Sequence, residues 1–311
     1  MTKPSIKPPA KSLAKSQAKP VTKPRQDLKA WLAKTGVLVE SLPYMRLYSG
    51  HAVVVKFGGH AMGDKTQIAS FAEDIVLLHQ VGIKPVVVHG GGPQIGAMLK
   101  RLSIDSDFID GLRVTDEASM PIVEMVLSGA INKSLVAAIG TAGGKAVGIS
   151  GKDGNLITAK QFANGKDNLG YVGEVAHIDL SVIDALTHAG LIPVIAPVAS
   201  GRDGATYNIN ADMVSGSIAA RMNAKRLLLL TDVAGIMDKD GKLINHLSVA
   251  DAKARIADGT ITGGMLPKIK TCIDAVQGGC EAAVILNGQE AHAPLVELFT
   301  EHGIGTLITN E

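Results

Sequence analysis

The chain has 311 residues, of which 46% are hydrophobic but only 3% aromatic, and it carries a formal charge of +2. That length suits one large α/β domain or two lobes about a cleft. A core so poor in aromatics must be built from Val, Ile, Leu, Ala and Met, as parallel sheets are, which argues against a base-stacking nucleic-acid platform.

The charge is uneven along the chain. Residues 1–25 carry Lys3, Lys7, Lys11, Lys15, Lys19, Lys23 and Arg25 without one acid, a segment charge of +7, so the remaining residues net −5. With Pro4, Pro8, Pro9, Pro20 and Pro24 interrupting any helix, this stretch reads as a disordered Lys/Pro-rich tail. A solvated extension is the plain reading; an anion- or partner-binding arm and an acid-free targeting segment stay open. The stretch lacks the apolar core of a signal peptide.

Residues 26–50 place Leu28, Trp31, Leu32, Val37, Leu38, Leu42, Met45 and Leu47 near helical spacing, interrupted by Gly36 and Pro43. The pattern predicts a kinked or broken amphipathic helix that covers a sheet or packs against another subunit. Strands are then expected near 52–57, 84–89, 145–149, 191–195, 225–231 and 281–286. Helices are expected near 66–81, 93–102, 116–139, 181–189, 211–223, 248–257 and 266–277. Such alternation predicts a mainly parallel sheet wrapped by helices. Short alternating runs between 155 and 178 suggest a small antiparallel insertion. The turn-rich run Ala199 to Gly204 suggests a division near residue 200, giving lobes at 51–200 and 201–311. Cys272 and Cys280 belong to no zinc-like or CxxC spacing, so a reduced, cytoplasmic setting is expected. No apolar run reaches the roughly 18 residues of a membrane span.

Chemistry is concentrated at strand ends. Val53-Val54-Val55-Lys56-Phe57-Gly58-Gly59 puts a lysine and two glycines where a strand stops and backbone amides come free, which suits phosphate. A second such place is His89-Gly90-Gly91-Gly92-Pro93, where Pro93 sets a helix start. The same residues loosely fit a dinucleotide-binding turn, which leaves a nicotinamide-binding domain as a competitor at this point. Arg113, in Gly111-Leu112-Arg113-Val114-Thr115, offers a planar fork for a carboxylate. Asn208, Asn210 and Asp212 lead into an apolar helix; an N-cap explains one of the three. Thr231-Asp232-Val233-Ala234-Gly235-Ile236-Met237 follows a buried strand at the ligand-binding edge of an open sheet. Gly263-Gly264-Met265-Leu266-Pro267-Lys268 could deliver a cation from a mobile loop.

In this order and spacing, the motifs resemble the amino-acid kinase family, and within it the branch that phosphorylates N-acetyl-L-glutamate with ATP; a member acting on carbamate, aspartate or UMP, or a non-catalytic amino-acid sensor on the same fold, is the alternative. The likeness covers about residues 37–308 and includes Gly148-Ile149-Ser150-Gly151-Lys152-Asp153-Gly154. The resemblance implies a three-layer α/β/α sandwich with a mainly parallel open sheet, an acetylglutamate-binding lobe and a nucleotide-binding lobe. It implies that Lys56 and Lys268 contact the transferring phosphoryl group, that Asp212 holds both lysines, and that Gly59 and Gly92 supply amides. Gly91, Gly92, Arg113 and Asn208 would hold N-acetyl-L-glutamate, with Asn210 beside the phosphates. Gly58, Thr231, Asp232, Gly235, Met237, Thr262 and Lys268 would border ATP, which brings Mg²⁺ with it; no metal site of the protein's own is implied. The N-terminal helix and the run after His292 resemble the arginine-inhibited branch, a hexamer built as a trimer of dimers. There Tyr44, His292, Glu297 and Gly303 would line an arginine site. An ordinary terminal helix with an exposed acid is the alternative.

A carboxylate nucleophile needs no general base, since it is already ionised near pH 7. His60, His79 and His89 are therefore expected to be structural. No nucleic-acid or membrane partner is expected.

Overall fold

The computed structural model describes residues 28–59, 62, 64–163, 165 and 168–311, so the expected tail at 1–25 and His60 lie outside the described residues. The chain divides into two compact units, residues 1–40 and 41–311. The first helix, α1 (Leu28–Tyr48), is continuous over 21 residues rather than broken at Gly36 or Pro43. Pro43 removes one N–H, and its exposed position lets water satisfy the freed carbonyl. Leu28, Trp31, Leu32, Val37, Leu38 and Val39 are all exposed, spread around the helix instead of along one stripe. In the second unit, Tyr44 and Met45 pack on the core and Tyr48 is buried.

That unit continues as β1 (Ala52–Phe57), α2 (Lys65–Gln80), β2 (Lys84–His89), α3 (Gly92–Arg101), β3 (Phe108–Ile109), β4 (Leu112–Arg113) and α4 (Met120–Glu124). A π-helical segment, Met125–Ile131, leads into α5 (Asn132–Thr141), then β5 (Ala146–Ser150), β6 (Ile157–Gln161), β7 (Val172–Ile178), α6 (Ser181–His188) and β8 (Ile192–Ala196). After β9 (Val198–Gly201) and β10 (Thr206–Ile209) come α7 (Ala211–Arg221), β11 (Arg226–Thr231), β12 (His246–Ser248) and α8 (Val249–Ala257). The chain ends with α9 (Met265–Gln277), β13 (Ala282–Asn287), α10 (Ala293–Phe299) and β14 (Thr306–Thr309).

Eight strands form one sheet in the order β12-β14-β13-β11-β1-β2-β8-β5. Every pairing in it is parallel except β13 with β14. Its central strands are apolar on both faces because helices cover both. Val53, Val55, Val87, Leu228 and Leu230 join one core with residues of α2, α3 and α5. Val54, Val86, Val88, Leu227 and Leu229 join the other, with residues of α7, α8 and α9. The α/β/α sandwich follows from this two-residue alternation. Strands from before residue 200 occupy one half of the sheet and strands from after it the other, meeting where β1 pairs with β11.

Three local expectations change. The helix expected from Asp116 starts at Met120, because Asp116 instead accepts the Ser119 N–H at 2.8 Å in a turn and Pro121 supplies the helix start. It also contains the π-helical turn, which no simple period predicts. The small insertion at 155–178 recruits residues beyond 197: β6 and β7 close a four-stranded barrel with β9 and β10. The run Ala199 to Gly204 is thus largely the hairpin between β9 and β10. By length and composition the helical stretch 120–141 could cross a membrane; here α5 packs against α2 and β5.

Candidate active site

The parallel register puts Lys56 of β1 beside Val88 of β2 and Leu229 of β11, so the carboxyl ends of three strands meet at one edge. Lys56 is buried there, and its Nζ lies 3.0 Å from Asp212 Oδ1 as an ion pair. Lys268, in the first turn of α9, places Nζ 2.9 Å from the other carboxylate oxygen, Oδ2. One carboxylate therefore holds two ammonium groups from distant parts of the chain. Asp212 sits in the first turn of α7, where the helix dipole also favours a negative charge. Burial pushes its pKa up, but Lys56 and Lys268 outweigh this and hold it at about 2. The site is preorganised, ionised and net positive.

The glycine loop forms the facing wall. Gly90 N–H donates to the Phe57 carbonyl at 2.8 Å, tying the loop to β1. Gly91 caps α3, with a proline following in its first turn. Close approach makes side chains unacceptable here: an added Cβ on Gly58 would lie 2.9 Å from Lys56 Nζ, and one on Gly91 would lie 2.4 Å from Ile131 Cδ1. Arg113 is buried on β4. Its Nη2 donates to the Gly92 carbonyl at 2.8 Å, its Nη1 donates to Ser106 Oγ, and the guanidinium lies 4.5 Å from the Phe108 ring centroid. Asn208 donates to Thr115 Oγ1 at 3.3 Å. Asn210 is the N-cap of α7, its side chain accepting the Asp212 N–H at 2.8 Å, so the cap explanation holds for that residue.

A cavity of about 380 Å³ brings these groups together: Lys56, Gly59, Gly91, Gly92, Arg113, Asn208, Asn210, Asp212 and Lys268 all line it. Apolar walls come from Ile95, Leu112, Leu127 and Val172. Of these, Leu127 belongs to the π-helical segment and Val172 to the barrel, and neither carries a motif signal. Phe108 could have been anticipated as a stacking partner in the short hairpin that carries Arg113.

Apart from Lys268, the residues expected to border a nucleotide lie outside this cavity's lining. Thr231 ends β11 and donates to Asp232 Oδ1 at 3.0 Å. Gly235 has φ +155°, and an added Cβ would meet Thr306 Oγ1 at 2.5 Å, so close packing alone accounts for a glycine there. Met237 is half-exposed and bridges to Leu243; Thr262 is exposed in the loop before α9. Among the described residues, no group of three or more His, Cys, Asp or Glu could hold a metal ion.

The four residues expected around arginine separate into two places. Glu297 accepts the N–H groups of Ile304 and Gly305 at 2.8 and 3.2 Å, and a Cβ on Gly303 would press against its carboxylate at 2.7 Å. Tyr44 packs on the core four residues before Tyr48, whose pKa burial raises against the pull of Arg226, with Glu297 adding to the rise. His292 instead bonds to buried Asp74 at 2.6 Å, on the wall of a second cavity of about 310 Å³ that Glu297 and Gly303 do not line. The pair has a clear physical sense. Burial pushes the Asp74 carboxyl up to about 6 despite its partner, and Asp74 raises the His292 imidazole.

A family model described as the amino acid kinase family matches residues 51–287. An acetylglutamate kinase of Granulibacter bethesdensis is 60% identical over 88% of this chain and 95% of its own length. One of Erythrobacter litoralis is 56% identical over 90% and 97%. Among solved structures, the N-acetylglutamate synthase of Neisseria gonorrhoeae in complex with coenzyme A and N-acetylglutamate superposes with a TM-score of 0.80 at 28% identity. The likeness covers 89% of this chain but only 63% of that longer one. The same synthase complexed with coenzyme A and L-arginine gives 0.76 at 26% identity.

Proposed function

The chain belongs to the amino acid kinase family, and on that premise we propose that it transfers the γ-phosphoryl group of ATP to the side-chain carboxylate of N-acetyl-L-glutamate, the second step of arginine biosynthesis. The observation that carries this reading is the clamp of Lys56 and Lys268 on one buried carboxylate, facing Arg113 across a cavity sized for a small acyl amino acid.

A carboxylate attacking a triphosphate brings two anions together, so repulsion must be cancelled before the reactants can align. Lys56 and Lys268 neutralise the moving phosphoryl group, and Asp212 keeps both ammonium groups in position without a proton of its own. Gly59 and Gly92 offer backbone amides to the equatorial oxygens. Arg113, held by Gly92, Ser106 and Phe108, clamps an α-carboxylate of the substrate, with Asn208 as its polar companion. The substrate oxygen forms a bond to the γ-phosphorus, the bond to the β,γ-bridging oxygen breaks, and ADP leaves with that electron pair. No proton moves, which is why the buried histidine at the site needs no catalytic part.

Gly58 just past the end of β1, and Thr231, Asp232, Gly235, Met237, Thr262 and Lys268 from the β11 half of the chain, would border ATP. Mg²⁺ would accompany ATP and supply charge neutralisation of its phosphates, while Asp212 is engaged by the two lysines. Arginine is read as a feedback inhibitor beside Tyr44, Glu297 and Gly303, where the Glu297 carboxylate suits a guanidinium; His292, the fourth residue expected there, is paired with Asp74. The exposed apolar residues of α1 are read as the contact joining dimers into a hexamer. The cytoplasm is the setting in which Cys272 and Cys280, both free and buried, stay reduced.

The test is ADP release with N-acetylglutamate, glutamate, aspartate and carbamate in parallel, each with and without arginine. N-acetylglutamate should dominate; equal rates across the four would sink the substrate assignment. Turnover preferring carbamate or aspartate would move the chain to another reaction of the same family.

A further inference from the structure

His89 is fully buried at the end of β2, one residue before the glycine loop, and the mechanism above gives it nothing to do. Its ring contacts are unusually decisive. Nδ1 lies 2.9 Å from the Gly90 carbonyl oxygen, and Nε2 lies 3.2 Å from Asn132 Nδ2. A carbonyl oxygen only accepts, so Nδ1 must carry the proton. The orientation of the Asn132 amide is fixed independently, because its Nδ2 also faces the carbonyls of Val194 at 2.9 Å and Ile149 at 3.3 Å, while its Oδ1 accepts from Lys133 Nζ at 3.0 Å. The two hydrogens of Asn132 Nδ2 serve three acceptors, Val194 O, Ile149 O and Nε2, so Nε2 faces a donor and carries no proton, and the imidazole is neutral with one defined tautomer.

What that tautomer holds is the Gly90 carbonyl. The chain has no cis peptide among the described residues, so the Gly90 carbonyl and the Gly91 N–H point in opposite directions. Pinning one directs the other. Gly90 N–H is tied to Phe57, and Gly91 lines the active-site cavity. The π-helical segment reaches the same loop from its other side: Leu127 and Ile131 pack where a Cβ on Gly91 would fall, at 2.7 and 2.4 Å, and the segment ends one residue before Asn132. The irregular turn thus presents its own side chains to Gly91 and Asn132 to His89. Gly148 completes the arrangement, since a Cβ there would lie 1.8 Å from Asn132 Oδ1.

We infer that His89 is a positioning residue for phosphoryl transfer: through the Gly90 carbonyl it fixes the Gly90–Gly91 peptide and with it the start of α3, where Gly92 offers its amide, and Asn132 holds it in the tautomer that does so. The inference rests on the phosphoryl-transfer reading of the site and goes beyond it by giving a buried neutral histidine a part in the geometry of the glycine loop.

Two measurements on the full-length protein test it. The first is the side-chain nitrogen spectrum of ¹⁵N-labelled wild type, which should show His89 protonated on Nδ1 alone at pH 7. A proton on Nε2 would overturn the inference whatever the substrate proves to be. The second is kinetic. His89→Leu should lower kcat by about tenfold to a hundredfold, the range expected when a catalytic group is misplaced by up to about 1 Å, with both KM values within about threefold of wild type. His89→Asn, whose amide N–H can still reach the Gly90 carbonyl, should recover most of that loss. Lys133→Met, at an exposed position, should give a smaller fall in kcat in the same pattern. A melting temperature that drops while kcat stays within twofold for His89→Leu would reduce His89 to a packing role and overturn the inference. If His89→Leu does not fold, the tautomer and the kcat of Lys133→Met decide it, an unchanged kcat in the latter counting against. Wild-type protein without any turnover would remove the phosphoryl-transfer reading alone, leaving the tautomer result to stand.

Discussion

At the residue scale, the centre of the cavity is a carboxylate paired with two cations. Asp212 is buried and would resist ionisation alone; two ammonium groups about 3 Å away make its charge favourable and are themselves positioned by it. Replacing Lys56 by alanine leaves the fold's apolar strand intact but removes half of the clamp. It should cost about 3–4 kcal/mol of transition-state stabilisation, roughly a hundred- to thousandfold in kcat, and near-normal turnover of the purified variant would remove the central assignment. His89 gives a stability prediction of defined sign. Burial lowers its pKa from 6.5 to about 4 in the folded protein. The unfolded chain takes up the proton first as pH falls, so the stability associated with the neutral ring is present above about pH 6.5 and is lost as pH falls toward 4. Asp74, raised to about 6, acts in the opposite sense over an overlapping range. The clean measurement is therefore a difference: the stability of wild type relative to His89→Asn, by denaturant unfolding, should fall by at most about 3 kcal/mol between pH 6.5 and 4. A pH-independent difference would show that folding does not lower the pKa of the buried ring.

At the element scale, short irregular pieces position the long regular ones. The β3–β4 hairpin exists to hold Arg113, whose guanidinium is committed to Gly92, Ser106 and the Phe108 ring before any ligand arrives. Arg113→Ala should mainly raise the KM for the acyl amino acid, because a ground-state clamp is lost; initial-rate kinetics with an unchanged KM would place that clamp elsewhere. The π-helical turn is the counterpart on the other side of the cavity. Gly148→Ala pushes a methyl into the Asn132 amide that follows this turn and should cost about 1–3 kcal/mol of stability as an overpacked core site does. Gly140→Ala in α5 is the control, since nothing lies within 4 Å of an added Cβ there, and it should be neutral or gain about 0.5–1 kcal/mol from helix propensity. Equal destabilisation of the two would remove the contact as the cause. The strands and most helices were legible because apolar periodicity is a local property. The π turn was not legible, because an i→i+5 turn has no period of its own and is decided by what its side chains must reach.

At the scale of the whole molecule, the sheet joins two halves at β1 and β11, and the clamp crosses that seam: Lys56 comes from one half, Asp212 and Lys268 from the other. A ligand that closes the cavity acts on groups of both halves at once, which suits a reaction between two anions. The N-terminal unit offers exposed Trp31, Leu32, Val37 and Leu38 in place of an amphipathic stripe. Deleting residues 1–45 should give smaller oligomers and weaker arginine inhibition, read by light scattering and by ADP release against arginine concentration. Unchanged assembly and inhibition would refute both the contact and the effector reading.

By itself the sequence determined the α/β alternation, the glycine-rich strand ends, and which cations and amides were available, because each is written in residues close together in the chain. Its resemblance to the amino-acid kinase family implied a common site for Lys56, Arg113, Asp212 and Lys268. Only the tertiary structure decided which of those groups meet. It set both lysines 3.0 and 2.9 Å from the carboxylate that the resemblance assigned to them, gave His292 to Asp74 and so away from Glu297 and Gly303, and drew β9 and β10 into the barrel. It also turned a histidine without a reaction into the holder of a glycine carbonyl. The physical reason is the same in each case: a buried charge or polar group takes whichever partner the packed elements place within about 3 Å, and that distance is set by sheet order and helix packing, which local periodicity does not encode.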